Sequence, residues 1–272
     1  MTFDYEKSVW GQGSADLKWS SPSAFRLKQI LSSLINLPAG SRVLEVGCGA
    51  GQFIRAVKKM RPELDCYGCD ISQKAIEHAW AERDEVSYKI NEAKKLPYEA
   101  GYFDAILVLD VLEHVAGPAE LLLEINRALK VGGIFYAFVP CEGDWLSLWN
   151  LLDKLNLKKG ITKDFAGHIN YFSRRSLAGL YAACGYEIRK KRYSEHLLGQ
   201  ILGVISFYLI KRASKKTGRG QINNEQYFTS IGTSPALRLF KKLVNAIIYL
   251  ESLVFSVIPS PNTHWTMIKK QV

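Results

Sequence analysis

An α/β fold, doubly wound around a mostly parallel sheet, is what three features of this 272-residue sequence predict. The first is Arg42–Gln52, RVLEVGCGAGQ, where the apolar run Val43, Leu44, Val46 breaks into Gly47, Gly49 and Gly51. Behind it Phe53, Ala56, Val57 and Met60 recur at helical spacing, so the stretch reads as strand, glycine turn and helix. The second is that strand-like and helical stretches keep alternating as far as residue 194. The third is Asp70, which closes the next strand-like run about 20 residues beyond the glycines, where a ribose is held by its hydroxyls. The alternative for Asp70 is a cap or turn residue, although Ser72 is the better cap for the helix that follows.

Taken in order, Ser21 and Pro22 suit the cap and first turn of a helix. Its expected apolar face is Leu27, Ile30, Leu31, Leu34 and Ile35, and Pro38 with Gly40 ends it. After the glycine turn come a second strand over Leu64–Asp70, a helix carried by Ile76, Ala79 and Trp80, and a third strand over Val86–Ile90. Tyr102–Asp110 is the fourth strand. Val111–Val115 opens into a helix started by Pro118, with Leu121, Leu122, Ile125 and Leu129 on one face. Val131-Gly132-Gly133 is expected to turn, and Ile134–Val139 to form the fifth strand, ending at Pro140. Residues 141–165 are less regular, and Trp145, Leu148, Trp149, Leu152 and Leu155 read as the packing stripe of a helix or as a pocket wall. Leu177, Leu180, Tyr181 and Cys184 face one side of a further helix that Gly185 closes, and Tyr186–Ser194 is a sixth strand.

Glycines let a backbone approach a ligand closely, and a helix start offers unpaired N–H groups. The dinucleotide pattern wants a third glycine where Gln52 stands, and Glu45 would repel a pyrophosphate. An acid there suits a ligand carrying an amino group and a sulfonium. With E-V-G-C-G-x-G at Glu45–Gly51, D-x-I-L-x-L-D-V-L-E-H-V at Asp104–Val115 and L-K-x-G-G at Leu129–Gly133, the chain resembles the class I S-adenosylmethionine-dependent methyltransferases. G-H-x-x-Y-F-S at Gly167–Ser173, followed by a leucine helix and C-G-Y, resembles the branch that includes ubiquinone-pathway O-methyltransferases. The likeness covers roughly residues 23–194.

The resemblance implies a Rossmann-like sheet of seven strands with the last antiparallel, and S-adenosyl-L-methionine as cofactor. It places cofactor contacts at Glu45, Gly47, Cys48, Gly49, Gly51, Asp70, Ile71 and Leu109, and beside the adenine at Asn91, Glu92 and Ala93. It also implies that residues 1–22 form an arm over cofactor and substrate; a surface tail held by its aromatics is the other reading.

The seventh strand is expected at His264–Lys270, so the core comprises 23–194 and 262–272, and 195–261 is a helical insertion. Leu197–Ile210 carries no charge but falls short of the roughly 20 apolar residues a spanning helix needs. Lys211–Gln226 is basic and polar, and Ala236–Ile258 is a long helix with a wide apolar face and a narrow basic stripe. Such a helix lies in a membrane interface, or else packs as a hairpin or a homodimer contact.

Hydrophobic content of 47% and charged content of 23% are those of an ordinary globular chain, and no fixed-period repeat appears. Five cysteines form no disulfide-like arrangement, and Cys66 and Cys69 lack a second pair to complete a zinc site, so no metal is expected. MTFDYEKSVW has no apolar signal core, so a cytoplasmic location is expected, with peripheral attachment to an anionic membrane surface as an open alternative beside it. A net charge of +10 asks for an anionic partner. Nucleic acid is disfavoured because no base-stacking ribonucleoprotein signature is present.

Methyl displacement from a sulfonium asks the protein mainly for alignment, and an oxygen acceptor also benefits from a base. His168 is the first candidate and His114 the second. Their structural alternatives are a histidine packed beside Tyr171 and one that holds the turn before a helix. The sequence therefore supports methyl transfer to a small-molecule or lipid-like acceptor. The competing reading is a non-catalytic S-adenosylmethionine-binding protein whose C-terminal helices form an interaction module.

Overall fold

The computed structural model describes residues 9–17, 20–92, 94–155, 167–205, 208 and 235–271. Its strands are β1 (Arg42–Val46), β2 (Asp65–Asp70), β3 (Ser87–Ile90), β4 (Phe103–Leu109), β5 (Leu129–Pro140), β6 (Tyr186–Ser194) and β7 (Asn262–Lys269). They form one sheet in the order β3-β2-β1-β4-β5-β7-β6. β1 to β5 pair in parallel, and β7 runs antiparallel to both β5 and β6. The helices are α1 (Pro22–Leu34), α2 (Gln52–Met60), α3 (Gln73–Ala81), α4 (Pro118–Ala128), α5 (Leu148–Lys154), α6 (Arg174–Ala183) and α7 (Pro235–Phe255). Residues 197–205 are also helical.

The central strands are buried on both faces, which is why β1 and β4 read as nearly unbroken apolar runs. Because side chains alternate across a strand, β1 sends Val43 to one core and Leu44 with Val46 to the other. β4 divides in the same way, with Ala105 and Leu107 on one side and Ile106 and Val108 on the other. Ile30 and Leu34 of α1, Ile54 and Val57 of α2 and Ile76 of α3 cover the first face. Leu121, Leu122 and Ile125 of α4 and Leu177 and Tyr181 of α6 cover the second. Three helix starts are fixed by serine caps: Ser21, Ser72 and Ser173 each accept a backbone N–H from the first turn. Removing such a cap costs about 1 kcal/mol.

Several local expectations need correction. α1 buries Ala24, Phe25, Ile30 and Leu34, while Ile35 lies beyond the helix and is exposed, because the face turns with the helix rather than ending at the last apolar residue. Met60 and Trp80 are exposed, and α2 buries Arg55 instead, paired with Glu82 and reaching the Gly13 carbonyl. Leu129 and Val131-Gly132-Gly133 belong to β5. Phe103 pairs with Leu129 and Ala105 with Ile134, so the extra residues loop out within the strand, with Gly132 at φ +74°. α5 has no buried residue, and Trp145 just before it is 77% exposed, so the expected packing stripe is not one. β7 begins at Asn262, two residues before the expected strand, because its pairing with Ser194 of β6 and Pro140 of β5 extends to that point.

Candidate functional site

In this strand order the direction of winding reverses between β1 and β4, and in such sheets the crevice beyond the strand ends at that point takes the ligand. The glycine turn follows β1, Asp70 closes β2, Asp110–His114 follow β4, and Cys141 with Glu142 follow β5. All of them emerge at the same edge.

The turn is held by its own backbone. Gly47 and Cys48 N–H donate to the Cys69 carbonyl at 2.8 and 3.0 Å, and Gly49 N–H donates to Asp70 Oδ2 at 2.8 Å. Asp70 Oδ1 accepts from Ser72 N–H at 2.9 Å. Gly49 sits at φ +54°, and a Cβ there would come within 2.5 Å of the Trp10 carbonyl oxygen. That carbonyl accepts the Ala50 N–H at 2.8 Å, and Gln52 Nε2 donates to the Ser14 carbonyl, so residues 9–17 lie across the turn. Glu45 is 2% exposed, and its Oε2 accepts the Ile54 N–H at 2.8 Å. Burial pushes its carboxyl up, to about 8. Its carboxyl group thus braces the first turn of α2. Cys48 is buried, its thiol pushed well up by burial, and Leu109 is buried at the end of β4.

Ile71, next to Asp70, is exposed. Asn91 N–H donates to the Asp70 carbonyl, and Asn91 Nδ2 donates to the Glu92 carbonyl at 2.7 Å. Asn91 Oδ1 is buried and, among the described residues, has no partner. Glu92 is exposed, and Ala93 lies outside the described residues.

His114 and His168 meet edge to face, their ring centroids 4.9 Å apart. The loop bearing His168 is clamped to the β4 end: Ile169 and Asn170 N–H both donate to the Glu113 carbonyl, and Asn170 Nδ2 donates to the carbonyls of Leu112 and Val115. His168 Nδ1 lies 3.1 Å from Glu142 Oε1. Burial pulls the His168 imidazole down, but the Glu142 hydrogen bond and charge, joined by Glu113 and Asp110, carry it above its ordinary value. His114 goes the other way: burial, then the neighbouring His168, lowers it to about 4 despite its 3.2 Å contact with the Gly167 carbonyl. The two histidines expected from sequence are therefore together but unequal, and His168 is the stronger base.

Three groups at this edge were not anticipated. Glu142 orients His168 from the residue beyond Cys141. Glu113 is 1% exposed with neither carboxylate oxygen hydrogen-bonded among the described residues, and burial, aided by the charge on Asp110, raises it to about 8. Asp110 stands at φ +52° and pairs with Arg26 of α1, whose guanidinium lies 3.6 Å over the Phe138 ring. The signal that could have found Glu142 is its place after a strand at the ligand-binding edge. Glu113, His114 and His168 each offer a ligand atom, all within 4.8 Å of one another. Beyond them a cavity of ≈ 660 Å³ opens between α5, α6 and β6, lined by Trp145, Arg174, Arg175, Lys191, Tyr193 and Trp265 among others.

The family described as methyltransferase domain matches residues 23–191. The ubiquinone biosynthesis O-methyltransferase of Roseobacter denitrificans is 32% identical over 99 residues, 35% of this chain and 39% of that protein. The 27-O-demethylrifamycin SV methyltransferase of Amycolatopsis mediterranei is 28% identical over 142 residues, 48% of this chain and 52% of that protein. The matches thus span about half or less of these relatives' own lengths. A chain from the Haloferax volcanii complex between the Trm112 methyltransferase activator and a methyltransferase superposes with a TM-score of 0.56, covering 93% of this chain and 96% of that one. At 15% identity that likeness shows the fold.

Proposed function

The chain belongs to the class I S-adenosylmethionine-dependent methyltransferases, and on that footing we propose that it methylates an oxygen of a small-molecule or lipid-like acceptor, with His168 as base. The observation that carries this reading is the His168–Glu142 pair set at the sheet edge beside the glycine turn.

The residues present fit the methyl donor. Asp70 offers a carboxylate to ribose hydroxyls, and Ile71 offers an exposed apolar surface to the adenine. Asn91 Oδ1 is a buried acceptor in want of a donor, which an exocyclic amine supplies. S-adenosylmethionine, when bound, supplies an electrophilic methyl group on a sulfonium. Glu142 engages His168 Nδ1, which leaves Nε2 to take the proton from an acceptor hydroxyl. The Glu142 carboxylate then stabilises the imidazolium, the role an orienting acid plays beside a catalytic histidine. His114, lowered to about 4, stays neutral at physiological pH and supports the ring of His168 from the side.

The test is the release of S-adenosylhomocysteine when the protein meets S-adenosylmethionine and an extract of its host. His168→Ala is expected to keep S-adenosylmethionine binding by calorimetry and to lose about 10²–10⁴-fold in turnover. Unchanged turnover removes His168 from the reaction.

A further inference from the structure

α7 is an amphipathic helix turned the wrong way round for a core helix. Leu239, Leu243, Ile247, Leu250 and Val254 follow at intervals of four, four, three and four, which draws one line along the helix. All five are between 48% and 68% exposed. The side packed on the body of the protein carries Ile248 and Ser252 instead. Ser252 Oγ accepts the Glu195 N–H at 3.2 Å and donates to the Ile248 carbonyl. An ordinary surface helix buries its apolar stripe and wets its polar one.

The apolar surface does not stop there. Segment 197–205 is joined to α7 through Glu251, whose carboxylate accepts the N–H groups of Leu198 and Gly199. Leu197, Leu198, Ile201 and Ile205 are exposed along it. Gln200 of that segment accepts the Leu148 N–H at 2.8 Å, tying it to α5, where Trp145, Leu151 and Leu155 are exposed as well. Three neighbouring elements therefore present large apolar side chains to the outside, far more than scattered surface residues would.

Basic sequence follows or accompanies each of them. Lys241 and Lys242 are exposed near the start of α7, Lys242 at the margin of the stripe and Lys241 on the other side of the helix. Residues 206–234 hold Lys211, Arg212, Lys215, Lys216 and Arg219 against the single acid Glu225, and Lys158, Lys159 and Lys163 follow α5. Among the described residues no helix is long and apolar enough to cross a membrane. Apolar side chains with flanking cations, on a helix that does not span, are the features of a surface that lies in the interface of an anionic bilayer. A second copy fits less well, because a two-fold contact through this stripe buries the apolar residues but gives the basic residues no anionic partner. We propose that α7, segment 197–205 and the α5 region form a docking face for an anionic lipid bilayer. This face lies outside the methyl-transfer site, and the proposal stands whatever the acceptor is.

The test is flotation of the full chain with phosphatidylcholine vesicles, with and without phosphatidylglycerol. The protein is expected to float with the anionic vesicles, to stay behind with the neutral ones, and to be released by salt. Leu243→Glu with Leu250→Glu is expected to lose vesicle binding while circular dichroism stays unchanged, since both side chains are exposed. Lys242→Ala leaves the apolar stripe alone and is expected to weaken binding about fivefold. Failure of the wild-type chain to float with anionic vesicles overturns the proposal, as does binding that neither variant changes. A dimer in light scattering that the Leu243/Leu250 variant dissociates, with no flotation, assigns the face to a second copy instead.

Discussion

His168 and Glu142 make a dyad whose behaviour depends on charge. The base form of His168 is the neutral one, so turnover should rise with pH through its pKa, which its acidic neighbours hold above the ordinary histidine value. Glu142→Gln removes the first of those neighbours while keeping a hydrogen-bonding side chain. The rising limb of the pH–rate profile is expected to move to lower pH in that variant, and the maximal rate to fall as the imidazolium loses its partner. A profile that does not move would make Glu142 a packing residue. The positions of His168 and Asp70 in the proposed site were legible in the sequence because each belongs to a short, contiguous pattern. Glu142 was not, since its role exists only through a contact 26 residues distant in the chain, and Arg26 reaches Asp110 across 84. Glu113 and His114 stand side by side in sequence, yet burial drives one up to about 8 and the other down to about 4, a difference that only the folded environment creates.

The glycine turn is the element on which the proposed donor site rests. Gly49→Ala puts a side chain at φ +54° and drives its Cβ against the Trp10 carbonyl. The left-handed conformation alone costs about 1–2 kcal/mol, and the clash must push residues 9–17 off the turn. Thermal unfolding is expected at a lower temperature and S-adenosylmethionine binding is expected to be lost; binding at wild-type affinity would show that the arm and the turn act independently. Apart from α5, the strands and helices up to β6 could be read from periodicity because each packs against the sheet, so burial enforces the pattern. α5 and α7 broke that logic. Their apolar residues recur at helical spacing as a core helix's do, but α5 buries none of them and α7 turns its stripe outward. Periodicity reports that a helix is two-sided and is silent on which side meets the protein. The loop within β5 was similarly opaque: Gly132 announces a turn, and only the strand pairing shows that the chain resumes the same strand after it.

At the scale of the whole molecule, two buried carboxyls set a pH dependence of stability. Glu45 and Glu113 are both raised to about 8 from an ordinary value of 4.5, chiefly by burial. Between those values the folded chain holds protons that the unfolded chain has released, so stability is greatest below about 4.5 as far as these groups are concerned and is lost as pH rises through about 8. His168, also raised, acts in the same sense. Glu113→Gln is expected to flatten the decline in thermal midpoint over that window, measured by calorimetry; an unaltered slope would mean that Glu113 is ionised in the folded chain. The fold itself was the most legible level, because the alternation of strands and helices, the glycine turn and the strand-end acids all require the same sheet. The acceptor was the least legible, since no motif in the stretch 141–155 that follows β5 names the atom to be methylated.

The most direct measurement is transfer of a labelled methyl group from S-adenosylmethionine into a host extract partitioned into lipid, aqueous small-molecule, protein and nucleic-acid fractions. Wild-type protein is expected to label the lipid or the aqueous small-molecule fraction, and His168→Ala to leave both near background. Label confined to protein or nucleic acid would contradict the proposed acceptor class, and no label in any fraction from a protein that binds the donor would make it a binding module.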